Sequence, residues 1–172
     1  TATGRAEGQR LLRPGDRQAW LPWDTPGATQ RFLAHFRPTV GVLMETEVWP
    51  CLTRACRSAG VPLLLVNARL SEKSLKQAWR LKTLSQATYG GLHAVYAQTE
   101  ADAQRLRQLK APVQGVFGNL KFDATPSAAQ LATARRWRAS PAARPVALLA
   151  SAREGEAAMW LAQRQPGALW LV

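Results

Sequence analysis

The stretch "TVGVLMETEVWPCLTRAC", Thr39 to Cys56, decides the fold. Its first six residues, Thr39 to Met44, form a short and almost continuously apolar run of strand length, and Trp49-Pro50 then opens a segment of helical period that closes at Gly60. A strand apolar on both faces, followed at once by a helix, is half of a β-α-β unit in a parallel sheet. Between strand and helix stand two carboxylates, Glu45 and Glu47. Acidic residues at that point have two readings, as the rim of a ligand cleft or as complements to the positive end of the helix that follows. Spacing alone leaves both open.

The same alternation runs outward along the chain. Further strand candidates are Pro62 to Asn67, His93 to Gln98, Val113 to Gly118, Pro145 to Ala150 and Ala168 to Val172. Helix candidates lie between them. Pro26 to Phe36 begins with a proline suited to a first turn, Pro50 to Gly60 ends on a glycine C-cap, and Ser71 to Thr88 starts at a capping serine. Thr99 to Lys110 opens close to a capping box, with Asp102 three residues after Thr99. Regular alternation predicts a doubly wound, parallel, Rossmann-like α/β sheet with helices on both faces.

Ligands of such sheets bind at the carboxyl ends of the strands. The residues that follow each strand are therefore the ones to inspect. They are Glu45 and Glu47, then Asn67, Arg69 and Ser71, then Gln98, then Asn119, Lys121 and Asp123, and finally Ser151, Arg153, Glu154 and Glu156. Helix capping accounts for Ser71, Thr99 or Ser151 singly, and a surface ion pair accounts for Arg69. Five polar strand ends in succession read as the edge of an active site.

Bulk properties narrow the partners. With 23 Lys and Arg against 11 Asp and Glu the net charge is +12, a field that attracts nucleic acid, anionic headgroups or phosphorylated and carboxylated substrates alike. Two cysteines, Cys51 and Cys56, are too far apart for a C-x-x-C site and read as reduced thiols on one helix. His35 and His93 lack the paired spacing of metal ligands, so no metal is expected. No run approaches the roughly 18 apolar residues of a membrane span. The chain opens on "TATGRAEGQR", read as polar loop, and closes within "ALWLV", so it is read as a piece of a longer protein. Trp79 and Trp137 sit among basic residues, a mixture found on membrane-surface helices and on nucleic-acid platforms. Neither a Walker A motif, a G-x-G-x-x-G fingerprint nor a G-x-S-x-G elbow is present.

Four segments in order, "FRPTVGVLMETEVWPCL", "GVPLLLVNARLSEKS", "VYAQTEADAQRL" and "GNLKFD", together with "TATGR" and "LPWDTPGATQRFL", resemble the Kdo transferases of Gram-negative bacteria. The resemblance covers nearly the whole chain. Cys51 departs from it where the family usually has Asn, Lys110 stands in place of a frequent Gly, and Ala152-Arg153 replace Thr-His.

The resemblance implies a two-domain GT-B glycosyltransferase that moves 3-deoxy-D-manno-octulosonic acid (Kdo) from CMP-Kdo to a lipid A precursor with inversion. It implies residues 1–124 as the later part of an acceptor-binding domain, 125–145 as a linker and 146–172 as the start of a nucleotide-sugar-binding domain. Glu45 and Lys121 match positions that stabilise the transition state, with Asn67, Arg69 and Asn119 supporting substrate. Glu47 is left as a helix-start or structural carboxylate. The family's general-base glutamate would lie upstream of Thr1. Expected besides are no cofactor other than the donor substrate, no nucleic-acid partner, and peripheral attachment to the cytoplasmic face of the inner membrane. Two other readings are weighed beside it: a transferase of the same fold with another nucleotide-sugar donor, and a basic nucleic-acid-binding domain without chemistry.

Overall fold

The computed structural model describes residues 2–139 and 144–172. The chain divides into two compact units, Thr1–Asp123 and Ala124–Val172.

In the first unit, helices α1 (Ala2–Leu11) and α2 (Pro26–Phe36) precede strand β1 (Gly41–Met44). There follow α3 (Pro50–Ser58), β2 (Leu63–Ala68), α4 (Glu72–Arg80), α5 (Lys82–Tyr89), β3 (Ala94–Ala97), α6 (Glu100–Gln108), β4 (Val113–Val116) and a 3-10 turn, Leu120–Asp123. The four strands form one parallel sheet in chain order, β1-β2-β3-β4, flanked by helices. Gly41 to Met44 pair with Leu63 to Val66, and Leu64 and Leu65 pair with Ala94 and Val95. The four strands expected from the sequence within this unit are all present, each within a few residues of its predicted ends.

Chain-order pairing has a consequence for layering. Right-handed crossovers between successive neighbours place every connecting helix on the same face of the sheet. The core lies there: Leu65, Val95, Leu106 and Leu109 are fully buried, with Leu33 of α2 and Leu52 and Cys56 of α3 joined to the same cluster. On the opposite face of β1, Val42 is 54% exposed and Met44 45%. Phe117, just past β4, is 77% exposed and touches the sheet through an edge contact with Tyr96. The expectation of helices on both faces is therefore corrected for the unit Thr1–Asp123, whose helices cover one. A doubly wound arrangement needs the strand order to reverse, and β1 to β4 contain no reversal.

Local chemistry fixes the helix ends. Ser71 and Thr99 are N-caps, their hydroxyls accepting the N–H of Ser74 and of Asp102, both at 3.1 Å. Helix α3 starts at Pro50 without a local cap, and the carboxylate of Asp24 accepts the N–H groups of Cys51 (3.0 Å) and Leu52 (2.9 Å) from 27 and 28 residues away. Gly60 follows this helix with φ +68, the left-handed conformation expected of it.

Two local expectations are overturned. The single helix over Ser71 to Thr88 is two, broken where Leu81 leaves helical geometry (φ −120, ψ 47), with the Ser85 hydroxyl donating to the Ala78 carbonyl across the break. The opening "polar loop" is helix α1, which buries no residue of its own. It carries a Glu7–Arg10 pair on one exposed side, and Gln18 donates to the carbonyl of Arg5. Its composition of Ala, Arg, Glu and Gln supports a helix despite two glycines.

The second unit contains α7 (Ala128–Arg138), β5 (Val146–Leu148), α8 (Glu156–Ala162) and β6 (Leu169–Leu171). Strands β5 and β6 pair in parallel, Val146 to Leu169, and make a small sheet of their own. Trp160 of α8 packs on Trp170 of β6 with ring centroids 4.8 Å apart. Helix α7 occupies much of the stretch read as a linker, of which residues 140–143 lie outside the described residues.

Candidate active site

Strand β1 ends, and β2 is interrupted one residue before its end, in the same unusual way. Met44 pairs with Val66, and the residue after each, Glu45 (φ +56) and Asn67 (φ +51), adopts the left-handed conformation. Asparagine tolerates that region, whereas for glutamate it costs on the order of 1 kcal/mol. Backbone bonds hold the pair in place, as Glu45 N–H donates to the Val66 carbonyl (3.0 Å) and Arg69 N–H to the Glu45 carbonyl (3.4 Å). A strained non-glycine residue kept by its surroundings is a mark of functional sites. Glu45 is half-buried and Arg69 exposed.

Across the next two strand ends the side-chain amides form a closed circuit. Gln98 Nε2, just past β3, donates to the Asn67 carbonyl at 2.9 Å. Its Oε1 accepts from Asn119 Nδ2 at 3.1 Å, and Asn119 Oδ1 accepts the N–H of Lys121 at 3.0 Å. Leu120 N–H then donates to Asn67 Oδ1 at 3.2 Å and closes the ring. In the sheet the ends of β1 and β4 stand three strand spacings apart, about 14 Å. The ring folds the segment after Gly118 (φ +81) back across β3 to the end of β2, one strand from Glu45. Glu45, Asn67, Asn119 and Lys121 thus belong to one rim.

The turn between Asn67 and Ser71 is held from below. Asp102 Oδ1 accepts the N–H of Leu70 (2.9 Å), Arg105 Nε donates to the Leu70 carbonyl, and the two side chains pair at 3.0 Å. Both backbone polar groups of the buried Leu70 are thereby satisfied by α6. Burial pushes the Asp102 carboxyl up, but the Thr99 hydroxyl, the Leu70 amide and the Arg105 guanidinium outweigh it and hold the pKa below its ordinary value.

Several readings of single residues can now be settled. The free amides of α3 go to Asp24, so neither Glu45 nor Glu47 accepts a hydrogen bond from the start of that helix. Glu47 is exposed. Arg69 and Lys121 make no ion pair among the described residues, which removes the surface-pair reading of Arg69. Ser71 and Thr99 are caps. Ser151 is not, since α8 begins after Gly155, and β5 belongs to a different sheet from the other four strand ends. Sequence reasoning saw Gln98 at a strand end without giving it a part, and Asp24 not at all. Their signal is spatial, because each acts on a segment more than 20 residues away.

Residues 1–124, which hold the entire rim, match the family model described as 3-deoxy-D-manno-octulosonic-acid transferase (kdotransferase). The chain belongs to the Kdo transferase family. It is 51% identical over 166 residues to a 3-deoxy-D-manno-octulosonic acid transferase of Bordetella pertussis, covering 94% of this chain and 39% of that protein. A protein of the same name from Rickettsia felis is 35% identical over 107 residues, 60% of this chain and 22% of its own length. In Arabidopsis thaliana a probable mitochondrial 3-deoxy-D-manno-octulosonic acid transferase is 48% identical over 58 residues, 34% of this chain and 13% of its own. The chain thus spans well under half the length of these curated relatives. Lys110 has φ +62, a conformation that suits glycine, and Cys51 takes part in the Asp24 cap through its backbone.

Proposed function

We propose that the longer protein to which this chain belongs is an inverting GT-B glycosyltransferase that transfers Kdo from CMP-Kdo to a lipid A precursor, lipid IVA. Residues 1–124 would serve as part of the acceptor-binding domain and 146–172 as the beginning of the donor domain. The observation that carries the reading is the amide circuit that folds the Lys121 segment back to Asn67, beside Glu45.

Such a transfer needs a base on the acceptor hydroxyl, stabilisation of an oxocarbenium-like sugar and neutralisation of the departing CMP phosphate. Lys121, exposed and without an ion pair among the described residues, supplies positive charge for the donor carboxylate or the leaving phosphate. Arg69 adds a second cation on the same rim. Glu45 balances positive charge developing on the sugar or orients the acceptor. Asn67 and Asn119 hold these groups in place and present substrate-facing backbone. The base itself is assigned to sequence upstream of Thr1. With cations provided by side chains, the reading takes CMP-Kdo as substrate and assigns no metal or resident cofactor.

The net charge of +12 fits an acceptor that carries phosphates in an anionic leaflet. Basic residues near such a surface contribute about 1 kcal/mol each. No helix among the described residues is long and apolar enough to cross a membrane, and the reading places the protein peripherally on the cytoplasmic face of the inner membrane. The decisive assay incubates the intact protein with CMP-Kdo and a tetraacylated lipid A precursor and counts the Kdo residues added by mass spectrometry. Turnover with another nucleotide sugar, and none with CMP-Kdo, would reject the donor assignment. Residues 1–172 alone are expected to be inactive.

A further inference from the structure

We infer that Gln98 is the positioning residue that seats Lys121 in the site, an inference that rests on the transferase reading for its catalytic consequence. Gln98 sits one residue past β3, half-buried, with its backbone N–H bonded to the Ala68 carbonyl at 2.8 Å. Its side chain therefore starts from a fixed point between the ends of β2 and β4. From there one planar amide donates to the Asn67 carbonyl and accepts from Asn119. The neighbours dictate its orientation. Asn67 offers only a carbonyl oxygen, which requires the Nε2 side, and Asn119 must present Nδ2 because its Oδ1 is committed to Lys121 N–H.

Common substitutes fail for physical reasons. Leucine fills the space but leaves a carbonyl and an amide without partners. Asparagine is one methylene short of the 2.9 and 3.1 Å contacts at either end. Ionised glutamate keeps the bond to Asn119 but sets a negative oxygen against the Asn67 carbonyl. Only a group that donates on one side and accepts on the other closes the circuit. Among the described residues no other side chain ties Asn119 to the rest of the sheet, because its remaining side-chain bond goes to the very segment being positioned. Gln98 touches no reacting group, and acts through Asn119 on Lys121.

The test uses the full-length protein and two readouts. In Gln98→Leu, and equally in Asn119→Asp, which removes the donor to Gln98 from a surface turn, kcat for Kdo transfer is expected to fall about 10- to 100-fold with KM little changed. Trypsin cleavage at the Lys121–Phe122 bond, followed by mass spectrometry, should become severalfold faster while the melting temperature holds. Gln98→Glu adds a signature that a bulk structural role would not give. A protonated carboxyl can donate to Asn67 and accept from Asn119, so activity relative to wild type should rise as pH is lowered. Wild-type kcat in both Gln98→Leu and Asn119→Asp overturns the inference, as does an unchanged cleavage rate after Lys121. If the wild-type protein transfers no Kdo, the transferase reading fails by itself, and the cleavage rates still decide whether Gln98 orders this segment.

Discussion

Glu45 and Asn67 follow paired residues of adjacent strands and share the left-handed backbone conformation, which makes the rim of this sheet a built feature. The two positions differ in what they ask of the side chain. Asn67 also offers Oδ1 to Leu120 N–H, whereas Glu45 uses only its backbone for structure. Replacing Asn67 by Gly and by Ala separates these demands. Both lose the Leu120 bond, but Ala alone keeps the strain, so Asn67→Ala should be less stable than Asn67→Gly by about 1 kcal/mol in denaturant unfolding. Equal stabilities would show that φ +51 is not enforced at this site.

Glu45→Gln and Lys121→Ala should each abolish Kdo transfer by the intact protein without unfolding it. Neither side chain has a hydrogen-bond partner among the described residues, and a melting temperature within a few degrees of wild type is expected for both. Wild-type turnover in the two purified variants would refute the assignment.

Asp102 makes the first unit sensitive to acid. Its pKa is lowered in the folded state, so its stabilising effect is present above the unfolded value near 3.9 and disappears as pH falls through the lower, folded value. Asp102→Asn should cost about 1 to 3 kcal/mol at neutral pH, since Arg105 and the Leu70 amide lose their anionic partner. Urea unfolding at a series of pH values should show the variant and wild type converging in strong acid.

Lys110 offers a stabilising change. It holds φ +62 two residues beyond the end of α6, so Lys110→Gly relieves left-handed strain at a helix terminus. A gain of about 1 kcal/mol is expected, less the entropy glycine adds to the unfolded chain. A loss of stability would mean that the lysine stem has packing value.

Asp24→Ala should destabilise by about 1 to 2 kcal/mol, because two amides at the start of α3 lose their acceptor. Asp24→Asn retains one acceptor oxygen and should recover part of that. If the capping reading is right, Glu47→Ala will have little effect on the same thermal unfolding assay.

Much of the fold could be read directly from residue order. The runs at Val42, Leu64, Val95 and Val113 are apolar and short, and helical periods bounded by Pro26, Pro50, Ser71 and Thr99 lie between them, so a parallel sheet follows from local signals. The break at Leu81 was hidden because no glycine or proline marks it. Which faces the helices cover depends on strand order, and strand order is a long-range property. The rim residues were legible as strand-end positions, but their connection was not. A bond between Leu120 and Asn67 spans 53 residues and leaves no periodicity behind. Asp24 was passed over, and Gln98 was left without a part, for the same reason: both are common polar residues whose meaning lies in distant partners.

The circuit of Asn67, Gln98, Asn119 and the Leu120–Lys121 backbone is composed wholly of amides. Amides neither gain nor lose protons in the range where enzymes work, so the scaffold beneath the rim keeps one shape at every such pH. A bell-shaped activity profile measured on the intact enzyme would then be attributable to the reacting acid and base and to the ionisation of the substrates, with the platform that carries Lys121 contributing no inflection of its own.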